Sequence, residues 1–146
     1  MDKVSIIMPC YNDGKYIEKS IESAMLQSYS NIELIIVDDG SDDKRTLQIL
    51  SKQQDVRIKI LHIKYSKPAA ARNMGISIAE RKYILPLDAD DLIEQEYVKK
   101  AVSIMELIPD IGIVYCQADL FGQELGRWNL PDYSLDKMLV VQYSFI

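Results

Sequence analysis

Apolar residues along the chain fall into short runs separated by polar, helically spaced or turn-forming segments. Nearly continuous runs such as residues 31–37 are typical of strands that a parallel sheet buries on both faces. From Tyr16, the apolar residues Ile17, Ile21 and Ala24 recur at the spacing of one helix face. The pattern predicts strands at 3–9, 31–37, 56–63, 82–87 and 111–121, and helices near 16–25, 44–53, 66–80 and 94–108.

This alternation of strands and helices defines the predicted fold class. A strand followed by a helix that crosses back gives parallel neighbours joined by right-handed connections. We therefore predict an α/β protein with an open, mainly parallel sheet flanked by helices. At 146 residues the chain suits one domain, residues 1–146, that is long enough to bury a sizeable core.

Some residues carry specific predictions about the ends of these elements. Ser66 is a candidate N-cap of the third helix and Asp91 of the fourth, which is expected to have acidic residues in its first turn. Residues 56–63 mostly alternate apolar with basic or imidazole side chains, which is typical of a half-buried strand near a sheet edge. Residues 122–134, with Arg127 among them, are predicted to form a loop.

Charge and cysteine usage exclude several classes of protein. A formal net charge of −5 and a sequence pI near 4.9 leave no basic surface for a nucleic-acid partner. The apolar runs are too short to cross a membrane and the N-terminus lacks a signal-peptide pattern, so we expect a cytoplasmic protein. Cys10 and Cys116 lack the spacing of a zinc site and are predicted to be buried free thiols.

Three acidic or turn-forming segments follow predicted strands, at residues 9–13, 38–43 and 88–91. Turn formation and helix capping explain any single one of them. In an open parallel sheet, however, ligands bind beyond the carboxyl ends of the strands, where the connecting loops gather. Three such segments at one edge therefore indicate a binding site.

Asp88 and Asp90 are candidate metal ligands because they flank the small residue Ala89 and can converge on one point. Carboxylate oxygens are hard ligands suited to Mg²⁺ or Mn²⁺, and such sites complete their coordination with water and substrate phosphates. The cation would offset the repulsion among these carboxylates and that of Asp91. It would also allow an acidic protein to hold an anionic nucleotide.

Tyr11, Asp39 and Arg72 are candidates for contacting the nucleotide itself. A carboxylate at a strand end can accept a hydrogen bond from a base NH or a ribose hydroxyl, and Tyr11 offers an aromatic face for a flat base. Arg72 can reach a base carbonyl or a phosphate, although a solvated or salt-bridged arginine explains it equally well. His62 is interpreted as a strand residue without a chemical role.

Four motifs in order, VSIIMPCYN, ELIIVDDGSDD, AAARNMGI and YILPLDADD, resemble the N-terminal nucleotide-binding half of a family 2 glycosyltransferase with the GT-A fold. The resemblance covers residues 3 to about 121. It implies an inverting transferase that uses a nucleotide diphosphate sugar, commonly a UDP-sugar, with Mn²⁺ or Mg²⁺. The implied acceptor is a carbohydrate or a lipid-linked sugar, and membrane association, at the inner face, would arise only through segments beyond this chain.

The resemblance also implies roles for individual residues. Pro9 and Tyr11 would lie against the base, which Asp39 would hydrogen-bond with help from Arg72. Asp88 would contact the ribose or metal-bound water. The implied nucleotide-binding residues are thus Pro9, Tyr11, Asp39, Arg72 and Asp88, and the implied metal ligands are Asp90 and Asp88.

The catalytic base is not assigned to any residue. In the family it follows the DxD motif, often in an ED pair, and this chain has no such pair after Asp91; Asp119, Asp132 and Asp136 are only loose candidates. The last apolar run ends without a cap, so we expect an N-terminal fragment whose base lies beyond Ile146. Two alternatives stay open, a nucleotide-binding module without chemistry and, from DADDL, an aspartate-based phosphotransferase.

Overall fold

The computed structural model describes residues 2–80, 82–122, 125–128 and 134. The chain divides into two compact units, Met1–Ser103 and Ile104–Ile146. The elements of the first unit are β1 (Val4–Cys10), α1 (Ile17–Met25), β2 (Ile32–Asp38), α2 (Lys44–Ser51), β3 (Ile58–His62), α3 (Pro68–Ile78), β4 (Tyr83–Pro86) and most of α4 (Tyr97–Leu107). None of the described helices has the length and apolarity needed to cross a membrane.

A four-stranded parallel sheet with the order β3-β2-β1-β4 forms the centre of the first unit. All seven residues of β1 and all seven of β2 are buried, as their nearly continuous apolar runs predict. Strand β3 lies at one end of the sheet and is only partly buried, which confirms the predicted edge strand. The structure therefore confirms the predicted open, parallel α/β sheet flanked by helices.

The two faces of the sheet pack against different helices. On one face, residues such as Ile6 and Leu34 pack with Ile17 of α1, Leu50 of α2 and Val98 of α4. On the other face, a smaller cluster joins Ile7, Ile35 and Val37 to Ala71 of α3. Ile63 and Ala79, which lie outside α3, pack against the margin of this cluster, so α3 and its flanking residues cover this face of the sheet.

The second unit contains two short antiparallel strands, β5 (Ala118–Leu120) and β6 (Gly126–Trp128). The prediction of a strand over 111–121 is therefore wrong for residues 111–117, which adopt no regular structure. The prediction that Arg127 lies in a loop is also wrong, because Arg127 is paired with Asp119 across the two strands. Cys116 is exposed, which contradicts its predicted burial, whereas Cys10 is buried as predicted.

Three predictions about helix ends are wrong. Ser66 does not cap α3; Lys67 is the N-cap residue, with φ 77° and no capping side chain, while Pro68 occupies the first turn. Asp91 is too far from α4, which begins only at Tyr97. For the same reason the first turn of α4 holds no acidic residue. Residues 87–96 instead form the loop that carries the acidic segment after β4.

Candidate functional site

A cavity of about 260 Å³ opens at the carboxyl ends of the central strands. Parallel pairing aligns Cys10 with Asp38 and Ile7 with Pro86, so the loops after β1, β2 and β4 meet at one edge. All six sequence-predicted site residues line this cavity. Its lining consists of Pro9, Cys10, Tyr11, Asp13, Asp39, Pro68, Arg72, Asp88, Ala89 and Asp90.

The loop after β1 is fastened to the loop after β2 by Asn12. The Asn12 backbone NH donates to Ser41 Oγ (2.9 Å) and its Nδ2 donates to Asp42 Oδ1 (2.8 Å). Its Oδ1 accepts from the backbone NH groups of Asp42 (3.0 Å) and Asp43 (3.1 Å). Asn12 has a φ of 59°, a left-handed conformation that asparagine tolerates better than most residues. These bonds set the separation between Tyr11 and the turn that follows β2.

Asp39 is almost completely buried, with 2% of its surface exposed. Its backbone NH donates to the Cys10 carbonyl (2.8 Å), and its Oδ1 accepts from both the backbone NH (2.7 Å) and the hydroxyl (2.9 Å) of Ser66. No residue of the described chain donates a hydrogen bond to the other oxygen, Oδ2. The carboxylate is therefore held in one orientation with acceptor capacity to spare.

Arg72 forms an ion pair with Asp88 inside the cavity. The Arg72 Nη2 atom donates to Asp88 Oδ1, and both side chains are about a third exposed. Arg72 comes from the second turn of α3 and Asp88 from the loop after β4, so the pair spans the cavity from one element to the other. The salt-bridged interpretation of Arg72 is thus correct, and it is compatible with a place in the site.

The acidic loop after β4 is held in place by hydrogen bonds with β1 and α1. Leu87 donates its NH to the Ile7 carbonyl (3.0 Å), and the buried Ser20 hydroxyl of α1 donates to the Ala89 carbonyl (2.8 Å). The Asp91 NH donates to the Asp88 carbonyl (3.1 Å), closing a tight turn. Ala89 is buried while Asp90 on the next position is exposed, so the turn directs Asp90 outward into the cavity.

Negative charge accumulates around this loop. Burial raises the pKa of Asp13 above its ordinary value, and the charges of Asp90 and Asp88 raise it further. Burial also raises the pKa of Asp91, with the same two carboxylates adding to the effect. A divalent cation beside Asp90 would relieve this repulsion.

The donor set fits a cation that is only partly coordinated by protein. Among residues 2–80, 82–122 and 125–128, no group of three or more His, Cys, Asp or Glu side chains is arranged to hold a metal ion. Asp90 and Asp88 can supply one or two carboxylate oxygens, and Mg²⁺ typically takes its remaining ligands from water and substrate phosphates. The residues are therefore suited to a metal that arrives with a phosphorylated ligand.

Sequence patterns missed several residues of the site. Asp13 and Ser66 lie beside predicted residues, yet only the fold shows that one lines the cavity and the other binds Asp39. His62 is a strand residue, as predicted, at the end of β3; it is not among the residues that line the cavity, but its Nδ1 lies 2.7 Å from Asp38 Oδ2. The pairing of β2 with β3, which places Asp38 opposite His62, is the signal that identifies this contact.

Comparison with known proteins identifies a family model and relatives that match most of this chain. The family model "Glycosyl transferase family 2" matches residues 5–142. An uncharacterised glycosyltransferase of Haemophilus influenzae is 43% identical over 108 residues, which cover 72% of this chain and 43% of that protein. The Escherichia coli UDP-Glc:alpha-D-GlcNAc-diphosphoundecaprenol beta-1,3-glucosyltransferase WfgD is 41% identical over 131 residues, which cover 88% of this chain and 51% of that protein.

Solved structures support the same assignment. The crystal structure of S. aureus TarS 1-349 in complex with UDP-GlcNAc matches with a TM-score of 0.67 and 33% identity, over 72% of this chain and 31% of that chain. The chain thus spans about half or less of the length of each of these relatives. The ordered motifs, the parallel sheet and the matched family model together establish that the chain belongs to glycosyl transferase family 2.

Proposed function

We propose that this chain forms the donor-binding part of an enzyme that transfers a sugar from a UDP-sugar to an acceptor hydroxyl with inversion at the anomeric carbon. The observation that carries the proposal is the cavity in which Asp39, Arg72 and the Asp88–Asp90 turn meet. WfgD is named for UDP-Glc, and TarS was crystallised with UDP-GlcNAc. These relatives support uridine as the nucleoside.

The hydrogen bonding of Asp39 supports a nucleotide base with a ring NH. Both hydrogen bonds from Ser66 go to Oδ1, so Oδ2 of this cavity-lining residue keeps its acceptor capacity. Uracil presents an N3–H donor, whereas N3 of cytosine is itself an acceptor. A buried carboxylate facing an acceptor is left unpaired, which costs about 1–3 kcal/mol or more. Asp39 therefore favours UDP over CDP, while Tyr11 and Pro9 supply apolar surface for the ring.

The charges of the cavity support a divalent cation at the diphosphate. Asp90 would hold the cation, with Asp88 as its neighbour on the ribose side. When bound, the cation would neutralise charge that develops on the departing diphosphate. Arg72 lines the same cavity, and its guanidinium is paired with Asp88 in the free protein.

The proposed reaction is a direct displacement. An acceptor hydroxyl attacks the anomeric carbon, the bond from that carbon to the UDP oxygen breaks, and a carboxylate accepts the hydroxyl proton. Asp39, Asp88 and Asp90 are all assigned to the donor, so none of them is proposed as this base. The acceptor of WfgD is named as a diphosphoundecaprenol-linked sugar. We propose a carbohydrate or lipid-linked acceptor, reached on the cytoplasmic side of the membrane.

Calorimetry with UDP and CDP, each with and without Mn²⁺, tests the donor assignment on the 146-residue chain. We expect UDP to bind in the presence of Mn²⁺, at least tenfold more tightly than CDP, which corresponds to about 1.4 kcal/mol. Asp39→Asn should abolish the preference for UDP, and Asp90→Asn should abolish the dependence on Mn²⁺. Asp110→Asn removes the same charge from an exposed turn and should change neither.

Three results would contradict these assignments. Equal affinity for UDP and CDP would eliminate the role of Asp39, and metal-independent binding would eliminate that of Asp90. Absence of sugar transfer by a longer natural protein that contains this chain and binds UDP would favour the alternative of a binding module without chemistry.

A further inference from the structure

The segment 63–66, between β3 and α3, lies directly over the turn that presents Asp39. The Ile63 NH donates to the Asp38 carbonyl (2.9 Å), and Ser66 makes its two hydrogen bonds to Asp39. Gly40, with φ 80°, completes the contact because a Cβ at this position would lie 3.0 Å from the Tyr65 nitrogen. Segment 63–66 is therefore fixed to the base side of the cavity rather than free in solvent.

From this position, the Tyr65 ring contacts the ring of Tyr11. The two ring centroids are 4.8 Å apart and the planes are tilted by 52°, a favourable arrangement for an aromatic pair. A base held between two rings needs them about 7 Å apart, twice the contact distance of about 3.5 Å. The observed spacing leaves no room for a base between them. Tyr11 lines the cavity and Tyr65 is not among the residues that do.

We propose that Tyr65 is a positioning residue of the base subsite, which acts by holding the Tyr11 ring against the cavity wall. The inference rests on the proposed function, since it assigns the region around Tyr11 and Asp39 to the base. Tyr65 lies in none of the four motifs that suggested the site. Segment 63–66 in this way positions both residues that are assigned to the base. Tyr65 contacts Tyr11, and Ser66 contacts Asp39.

The expected effect follows from the freedom that Tyr65 removes. Tyr11 is 46% exposed even with Tyr65 beside it, so without Tyr65 its ring should sample further rotamers in the free protein. The conformational entropy of the Tyr11 side chain is then lost when the ligand binds. Ordering one side chain at an interface weakens binding by about twofold to twelvefold. Because Tyr65 is 60% exposed, its truncation should leave the fold intact.

The experiment compares UDP affinity, measured by calorimetry with Mn²⁺, for the wild type, Tyr65→Ala, Tyr65→Phe, Tyr11→Ala and the double alanine variant. Tyr65→Ala should weaken UDP binding about twofold to twelvefold, and Tyr65→Phe, which keeps the ring, should retain most of the affinity. Pyrophosphate has no base, so its Mn²⁺-dependent affinity should be the same in Tyr65→Ala as in the wild type. The double variant should bind UDP no more weakly than Tyr11→Ala alone, because Tyr65 acts through Tyr11.

The other possible outcomes contradict either the positioning role of Tyr65 or the proposed function. Unchanged UDP affinity in Tyr65→Ala, or additive losses in the double variant, would overturn the positioning role, the latter by indicating direct contact with the base. Equal loss of pyrophosphate and UDP binding would indicate a general structural defect and would also overturn it. Failure of the wild type to bind UDP at all would instead refute the proposed function, before any variant is compared.

Discussion

Replacing Gly75 by alanine should destabilise the protein, although alanine is the better helix former. Gly75 lies in the middle of α3, where alanine is favoured over glycine by about 1 kcal/mol. A Cβ at this position, however, would lie 2.6 Å from Cγ2 of Ile7 and 3.1 Å from Cγ2 of Val37. Carbon atoms prefer about 3.5–4.0 Å, so the helix and β1 would have to separate by about 1 Å.

The surroundings give little room for that adjustment. Ile7 and Val37 are fully buried in central strands, and overpacking of such a core costs about 1–3 kcal/mol. After the propensity gain, we expect a net loss of about 1 kcal/mol in the free energy of unfolding. Urea denaturation measures it as a lower midpoint with an unchanged slope. Ser77→Ala, on the exposed side of the same helix, is the matched control and should change stability by less than about 0.5 kcal/mol.

The same substitution should affect the site. Arg72 and Pro68 reach the cavity from the first two turns of α3, so a helix displaced at Gly75 also displaces them. UDP affinity should therefore fall together with stability in Gly75→Ala and remain unchanged in Ser77→Ala. An increase in stability, as propensity alone predicts, would refute the conclusion that close packing of α3 on the sheet decides the outcome.

Two further predictions concern buried polar groups near the cavity. Ser20→Ala removes the hydroxyl that donates to the Ala89 carbonyl, so the free energy of unfolding measured by urea denaturation should fall by about 1–3 kcal/mol. The control Ser51→Ala, at an exposed position, should lower it by less than about 0.5 kcal/mol. Equal effects would contradict the conclusion that the Ser20 hydrogen bond holds the acidic loop to α1. Burial, with a contribution from neighbouring carboxylate charge, raises the pKa of Cys10 from 9.0 to about 12, so at pH 8 its thiolate is about 1,000-fold scarcer than that of an ordinary thiol. A thiol reagent should modify exposed Cys116 rapidly and native Cys10 hardly at all, and rapid modification of Cys116→Ser would disprove the protection. Since the folded pKa of Cys10 is the higher one, its stabilising contribution is complete below pH 9 and is lost between pH 9 and about 12.

The sheet and the position of the candidate site could be predicted because both depend on strong, repeated signals. Burial on two faces forces the central strands to be apolar along their whole length, which makes β1 and β2 visible as continuous runs. Parallel strands bring their carboxyl ends to one edge, so the polar residues after them must meet there. For this reason Tyr11, Asp39 and Asp90 could be grouped without knowledge of any contact.

Other features depend on contacts that a local pattern does not contain. The segment Ser66–Pro68 resembles a capped helix start, yet the Ser66 side chain is directed to Asp39, 27 residues earlier in the chain. Asp91 resembles a cap for α4, but the helix starts six residues later because the intervening residues form the acidic loop. Strand β6 has only three residues, too few to reveal a period of two. Where tertiary contacts compete with local preference, the sequence pattern alone cannot decide between them.

The charges of the cavity lead to a thermodynamic requirement on the proposed ligands. Asp13, Asp39, Asp88 and Asp90 line the cavity with Arg72, whose charge is already paired with Asp88. A nucleoside diphosphate would add further negative charge to this excess, so we expect tight binding only when a cation accompanies it. Because no group of three or more metal-ligating side chains is found among the described residues, the proposed cation would need phosphate oxygens to complete its coordination. If both bind as proposed, each ligand should raise the affinity for the other by the same factor, since such coupling is reciprocal. The Arg72–Asp88 pair is consistent with this scheme, because it keeps one carboxylate neutralised in the free protein while Asp90 stays available for the incoming metal.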